Sequence, residues 1–258
     1  FEAVGAAVGL YPDRTEVAVQ KGRLCGVSVP GEVAFFPDAI ALAVRPSAAG
    51  GQLAESARCF SGEKAQIDGR FSLNSSVAGR GRADELVPSL SGTLNFSAQE
   101  GQIRSGAGFG VLKQVLALVN VTEIFAGALP DFSRSGFRYN AIQARTEIEN
   151  GVAHLTEVVV DGRNMKLTAQ GELSLVDQRL NLTVLVAPLK TVDRIVGKIP
   201  LVSDILAGTL VSIPVKVRGT LENPKTDFMP PSMVGKGLIG ITERTLKLPF
   251  RLVQPKTP

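Results

Sequence analysis

A two-residue alternation of apolar and polar side chains recurs through most of the chain, and only an extended strand turns that pattern into one dry face and one wet face. It is clearest in Leu167-Thr168-Ala169-Gln170-Gly171-Glu172-Leu173-Ser174-Leu175. After Val176-Asp177-Gln178-Arg179 it resumes as Leu180-Asn181-Leu182-Thr183-Val184, so the two runs predict a hairpin with its leucines on one side. Upstream, Asn150-Gly151 and Asp161-Gly162 are residues that tolerate the positive φ of two-residue turns, and they bracket a strand from Val152 to Val160. The segments from Phe137 to Ala187 therefore read as one antiparallel meander, with Ile142, Leu155, Leu167 and Leu182 among its buried residues. The run Val211-Ser212-Ile213-Pro214-Val215-Lys216-Val217-Arg218 adds a further strand. Pro214 has no N–H to give to a ladder and must occupy an edge or a non-bonding position.

The first part of the chain is less regular. Thr15 to Gln20, Leu24 to Val29, Val33 to Phe36, Ile40 to Val44 and Phe71 to Val77 are strand candidates, a short helix is expected from Gln52 to Cys59, and the polar stretch Gly79-Arg80-Gly81-Arg82 separates this part from the next. Three segments break the alternation and read as helices. Phe109 to Val119 is apolar around most of its circumference, Thr191 to Leu206 is interrupted at Pro200, and Pro231 to Leu246 is weakened by glycines. Apolar helices beside strands that already have a dry face must be covered by something. Packing on the sheet as a lid or end plug is the ordinary solution, and contact with a membrane is the other.

Composition removes several functions. With 258 residues and 44% hydrophobic content the chain can bury one large all-β core or two smaller ones. Aromatic residues are only 5% and Trp is absent, so flat stacking platforms for sugars or single-stranded nucleic acid are poorly supplied. The 28 basic and 24 acidic residues are dispersed, giving a net charge of +4 without the basic stripe that nucleic acid requires; a mild preference for anionic lipid headgroups fits equally well. No uninterrupted apolar run reaches membrane-spanning length. The start at Phe1-Glu2-Ala3-Val4 has no leader features, so any signal or anchor is expected upstream.

Candidate chemistry is sparse. Cys25 and Cys59 are too few for a zinc cage and too far apart for a redox CxxC; they form one disulfide in an oxidising compartment, or else are two small buried hydrophobes. His154 is the single histidine and has no evident orienting partner or nucleophile, which makes it a surface or partly buried residue rather than a general base. Gly106-Ala107-Gly108-Phe109-Gly110 precedes a helix but lacks the Gly-Lys-Ser/Thr follow-up and the βαβ setting of a phosphate loop, so it reads as helix entry. Acidic residues such as Asp161 and Glu172 sit singly at strand edges and turns. No catalytic residue, metal site or cofactor is expected, and the chain is read as non-enzymatic.

The segment Leu90-Ser91-Gly92-Thr93-Leu94-Asn95-Phe96-Ser97-Ala98-Gln99-Glu100-Gly101-Gln102-Ile103, followed by the apolar helix from Phe109, resembles the opening of the C-terminal region of the AsmA family. The resemblance continues in order through Phe137-Arg138-Tyr139, Asn150-Gly151, Met165 to Leu173, Ile199-Pro200-Leu201-Val202, Leu206-Ala207-Gly208-Thr209, and Val217-Arg218-Gly219-Thr220-Leu221-Glu222-Asn223-Pro224. It implies three parts: a β-sheet segment over 1–84, the AsmA-like β-rich region with two helical insertions over 85–228, and a helical tail over 229–258. The implied fold is mainly β, an elongated, curled antiparallel sheet whose concave side is an apolar groove, with short helices packed as caps. The implied role is that of a periplasmic part of an inner-membrane-anchored protein of the Gram-negative envelope, binding phospholipid for transport between membranes and outer-membrane integrity. Leu167, Leu173, Leu175, Leu180, Leu182, Val184, Ile213 and Val215 are the residues expected to face acyl chains. The other reading is a structural or assembly module whose apolar faces are sealed and whose edges dock to envelope proteins. An open sheet should display a continuous accessible aliphatic strip, whereas a sealed one should show interdigitated side chains.

Overall fold

The computed structural model describes residues 2–120, 136–189 and 212–247, and within them the alternation becomes a single antiparallel sheet of 15 strands. In chain order these are β1 (Glu2–Leu10), β2 (Thr15–Leu24), β3 (Val27–Ser28), β4 (Gly31–Phe35), β5 (Ile40–Val44), β6 (Ser47–Gln52), β7 (Gln66–Ile67), β8 (Arg70–Gly81), β9 (Ser91–Ser105), β10 (Phe137–Glu149), β11 (Val152–Gly162), β12 (Met165–Ser174), β13 (Arg179–Pro188), β14 (Ile213–Thr220) and β15 (Pro224–Phe228). The helices are α1 (Leu53–Ser61), α2 (Ala107–Asn120) and α3 (Lys236–Lys247), with short 3-10 turns at Gly62–Lys64 and Pro231–Met233. From β8 to β15 each strand pairs with its successor; on the other side of β8 lie β5, β4 and β2, with β1 on the far side of β2.

The expected meander from Phe137 to Ala187 is β10 to β13. Leu167 and Leu182 are buried, while Ile142 and Leu155 are half-buried against the same core. Asn150 and Gly151 adopt φ of 49° and 72°, the two positive values of a type I′ turn, and join Glu149 to Val152. Pro214 lies opposite Leu185 in β14, and its side toward β15 is just beyond the last ladder pair, Val215 with Phe228, where the Pro214 carbonyl accepts from the Met229 N–H.

Four expectations change. The strand expected from Leu24 to Val29 is split because Cys25 and Gly26 take φ of 54° and 80°, making a tight hairpin between β2 and β3. Asp161 and Gly162 are inside β11, since Asp161 pairs with Lys166 and the reversal falls at Arg163 and Asn164. Gly79-Arg80-Gly81 is not a separator but the end of β8, paired with β5, and the Arg80 guanidinium lies 4.5 Å over the Phe36 ring. Ladders continue from β8 to β9 across residue 84, so the sheet passes through that expected boundary unbroken. Five strands were not among the strand candidates: β7, β9, β15, and β1 and β6, the last two rich in Gly and Ala and poor in contrast between faces. The expected helix from Gln52 to Cys59 is α1, that from Phe109 is α2, and that from Pro231 is the 3-10 turn plus α3. The Thr191 to Leu206 segment lies outside the described residues.

The sheet is rolled. Six strand spacings of about 4.8 Å separate β9 from β15, roughly 29 Å along the sheet. Yet α2 starts directly after β9, and a Cβ placed on Gly110 would lie 3.8 Å from the carbonyl oxygen of Leu221, at the end of β14. Gln114, one turn later, accepts a hydrogen bond at 3.5 Å from Thr226 of β15. A few helical residues advance only about 6 Å, so the two ends of that arc approach because the sheet curls around the helix. Gly92 and Gly171, on the concave side, have φ of 153° and 141°, a region closed to side-chain-bearing residues. A Cβ at either would collide with a cross-strand carbonyl, that of Ser76 or Asn181, so these positions let neighbouring strands bend inward.

Near the helical end, β7 and the residues after it are tied to β9 and β10. Tyr139, 3% exposed, donates its hydroxyl to the Asp68 carbonyl at 2.6 Å, and the Asp68 carboxylate accepts from the Gln102 N–H at 2.7 Å. Burial, with the Asp68 charge adding to it, pushes the Tyr139 phenol up to about 12.

Two outcomes follow for stability. Gly92→Ala is expected to destabilise by about 2–4 kcal/mol in chemical denaturation, while Gly108→Ala, which meets nothing within 4 Å, stays within about 1 kcal/mol of the parent. The unfolded phenol ionises near pH 10 and the folded one near 12, so the folded state binds more protons in that window and stability falls as pH rises through it. The parent should lose about 2 kcal/mol between pH 10 and 12 beyond any loss in Tyr139→Phe; parallel pH-dependent denaturation of the two proteins checks this.

Candidate functional site

Cross-strand register decides which side chains share a face, because neighbours directly opposite each other project the same way. Over β1, β2, β4 and β5 one row is Leu10, Thr15, Phe35 and Ile40, the next is Val8, Val17, Val33 and Leu42, and a third runs from Ala6 through Val19, Gly31 and Val44 to Val77 of β8. Followed across the remaining ladders, this face carries Phe71, Leu73, Phe96, Ala98, Ile142, Val158, Val160, Leu167, Ala169, Val184 and Val215. It is the concave face, and it is aliphatic from one end of the sheet to the other.

Its cover is not uniform. At the β12–β14 end, α2 places Phe109, Val115, Leu116 and Val119 on it, and these form one core with Leu180, Leu182, Val184, Ile213, Val215 and Val217. At the other end Val17, Val19, Val33, Ile40, Leu42 and Val44 are only half-buried, and Val8, Leu10 and Phe35 are exposed at 62%, 81% and 46%. The side chains there shield one another laterally, and among the described residues no second layer closes over them.

Of the residues expected to face acyl chains, Leu167, Leu180, Leu182, Val184, Ile213 and Val215 do share the concave face, but they are buried, with Ile213 and Val215 fully so. Leu173 is half-buried on the same face, and Leu175 lies past the end of β12. The buried ones belong to one core with Phe109, Val115, Leu116 and Val119 of α2. The accessible part of the strip is instead on β1, β2, β4 and β5. Its signal was present in the alternation of Thr15 to Gln20 and Ile40 to Val44; what the pattern did not carry was which strands a helix would cover.

The convex face is polar. Arg145 pairs with Glu157 at 3.2 Å, and His154 stands opposite Glu172, its Nδ1 3.5 Å from the carboxylate, on a surface open to water. Desolvation and the nearby Arg218 hold Lys216 below the ordinary lysine value, with Glu172 pulling the other way. Only beneath α3 does this face become dry. Leu185 packs there with Met229, Val234, Leu238 and Ile239. Thr168 and Thr242 share a buried hydroxyl contact of 2.5 Å, and the buried Lys166 ammonium donates to the Thr245 carbonyl in the last turn of α3, a favourable place for a cation at a helix C-terminus. Among the described residues the C-terminal strands are thus closed on both sides and β1, β2, β4 and β5 on neither.

Cys25 and Cys59 are joined, with their Cα atoms 5.4 Å apart, and the bond ties the β2–β3 turn to α1. It closes a sequence separation of 34 and suits an oxidising compartment. Among the described residues no group of three or more His, Cys, Asp or Glu is placed to hold a metal ion, and no helix is long and apolar enough to cross a membrane.

A single-layer sheet rolled around its own aliphatic face, closed by helices at one end, defines a class of β-proteins with an apolar concave surface. The sequence matches, over residues 53–226, the family described as YhdP protein. The match spans well over half of the chain, and the protein belongs to the YhdP family, within the AsmA/TamB-like group of envelope proteins. No curated protein and no solved structure matches it.

Removing the bridge should be measurable. Cys59→Ser is expected to lower stability by about 2–4 kcal/mol in denaturant and to leave Cys25 reactive toward a thiol reagent, whereas the parent reacts only after reduction.

Proposed function

We propose that this chain is a lipid-handling segment of an envelope protein, in which phospholipid acyl chains lie along the uncovered part of the concave face and headgroups remain at its wet rim. The observation that carries the reading is the half-exposed aliphatic strip over β1, β2, β4 and β5, continuous in register with a packed core but with no protein layer over it among the described residues. Each methylene removed from water contributes about 0.8 kcal/mol, so an aliphatic surface holds a fatty chain without any specific polar contact. With β8 the strip spans five strands, about 19 Å at ~4.8 Å per spacing, on the order of the length of an extended acyl chain. The role fits movement of phospholipid between the two membranes and support of outer-membrane integrity, from a periplasmic position with an inner-membrane anchor supplied elsewhere. The disulfide is consistent with that compartment. Nothing in this role requires an enzyme's machinery or a cofactor.

A second reading, a docking module for envelope proteins, is favoured by β1. Among the described residues its outer edge has no strand partner, and it exposes Val4, Val8 and Leu10, which suits it to receive a strand from a partner.

Replacing Val33 and Leu42 by Asp places charge on the half-exposed strip, where water can still reach it. The double variant is expected to retain at least about tenfold less phospholipid in native mass spectrometry of gently purified protein, whereas Ala43→Asp on the convex face retains it as the parent does. Equal lipid retention by all three proteins would remove the carrier reading and leave the docking one.

A further inference from the structure

Resting on the lipid-handling reading, we propose that α2 is a displaceable plug, occupying at the C-terminal end of the sheet the place that an acyl chain takes when the helix swings away. The surface beneath it is the same concave aliphatic face that lies open farther along, continued strand by strand through Leu167, Val184 and Val215. Helix and lipid are therefore alternatives for one surface. What α2 lays on it is chemically close to a lipid tail, since the side chains of Phe109, Val115, Leu116 and Val119 amount to ~17 carbons, about those of one acyl chain, so exchanging one for the other leaves burial nearly balanced.

The two helices on the C-terminal strands are attached in contrasting ways. On the convex side, α3 is pinned by the buried Thr168–Thr242 hydroxyl contact and by Lys166 at its last turn. On the concave side, α2 puts Phe109, Val115, Leu116 and Val119 into the aliphatic core, and its hydrogen bond with Thr226 is long, at 3.5 Å. The helix leaves β9 at Gly106, with φ of 125°, and Gly108 and Gly110 follow in its first turn. A Cβ placed on Gly108 would meet nothing within 4 Å, so the entry has the conformational freedom and the space of a hinge.

The test compares one variant in two states. Gln114→Cys with Thr226→Cys, in the full chain with the Cys25–Cys59 bond kept oxidised, is either left free or bridged across α2 and β15 by a short bismaleimide. Each form is incubated with phosphatidylcholine vesicles containing phosphatidylcholine with a diazirine in one acyl chain, and adducts are mapped by mass spectrometry after illumination. The expected result is adducts on both β2–β5 and β12–β14 peptides in the free form, and at least a fivefold loss of the β12–β14 adducts in the bridged form with those on β2–β5 retained. Adducts confined to β2–β5 in the free form, or β12–β14 adducts unchanged by the bridge, would overturn the plug while leaving the carrier role intact. An absence of acyl adducts on the concave face in both forms would overturn the carrier role and the plug with it.

Discussion

The controlling constraint in this molecule is that most of its backbone is satisfied by strand pairing while most of its aliphatic side chains collect on one face, the cluster beneath α3 being the exception. A sheet of 15 strands wound in a single layer produces more apolar surface on that face than three short helices can cover. Curling inward reduces the exposed area and brings the face around α2. Gly92 and Gly171 make the curl possible where strands must approach more closely than a Cβ permits. The rest of the architecture, including which end is closed and which is open, is a response to that surplus.

The two ends resolve it differently. At β12–β14 both faces are buried, and the polar groups needed on a normally wet face are paired with α3: Lys166 and Thr168 are buried but partnered, so their desolvation is offset. Near β1–β5 no such investment is made. Valines and leucines remain half-accessible, and stability in that part depends on ladder hydrogen bonds and on the Cys25–Cys59 bridge to α1. This asymmetry gives the sheet a firm end and an accessible end, and the proposed carrier role makes use of the accessible one.

Membership of the YhdP family places the protein in the AsmA/TamB-like envelope group, and the geometry adds what family membership alone does not supply: which part of the concave face is accessible and which is packed among the described residues. The residues with the strongest alternation, in β12 and β13, turned out to be the most thoroughly packed. Strong contrast between faces is what a buried core demands as much as what a lipid surface demands, so the pattern at Leu180, Leu182 and Val184 could not separate them.

Alternation in the chain was sufficient to determine strand identity, the meander from Phe137 to Ala187, the Asn150-Gly151 turn and the dryness of one face, because these depend on residues within a few positions of each other. It failed for β1 and β6, where Gly and Ala blur the contrast, and at Arg80, whose charge belongs to the wet face of a strand rather than to a linker. The roll of the sheet, the seat of α2 on β14 and β15, and hence the division of one aliphatic strip into a filled part and an open part were decided only in three dimensions. Thr226 meets Gln114 across more than a hundred positions of sequence; contacts of that range are set by how the whole sheet curls, and no local pattern encodes them.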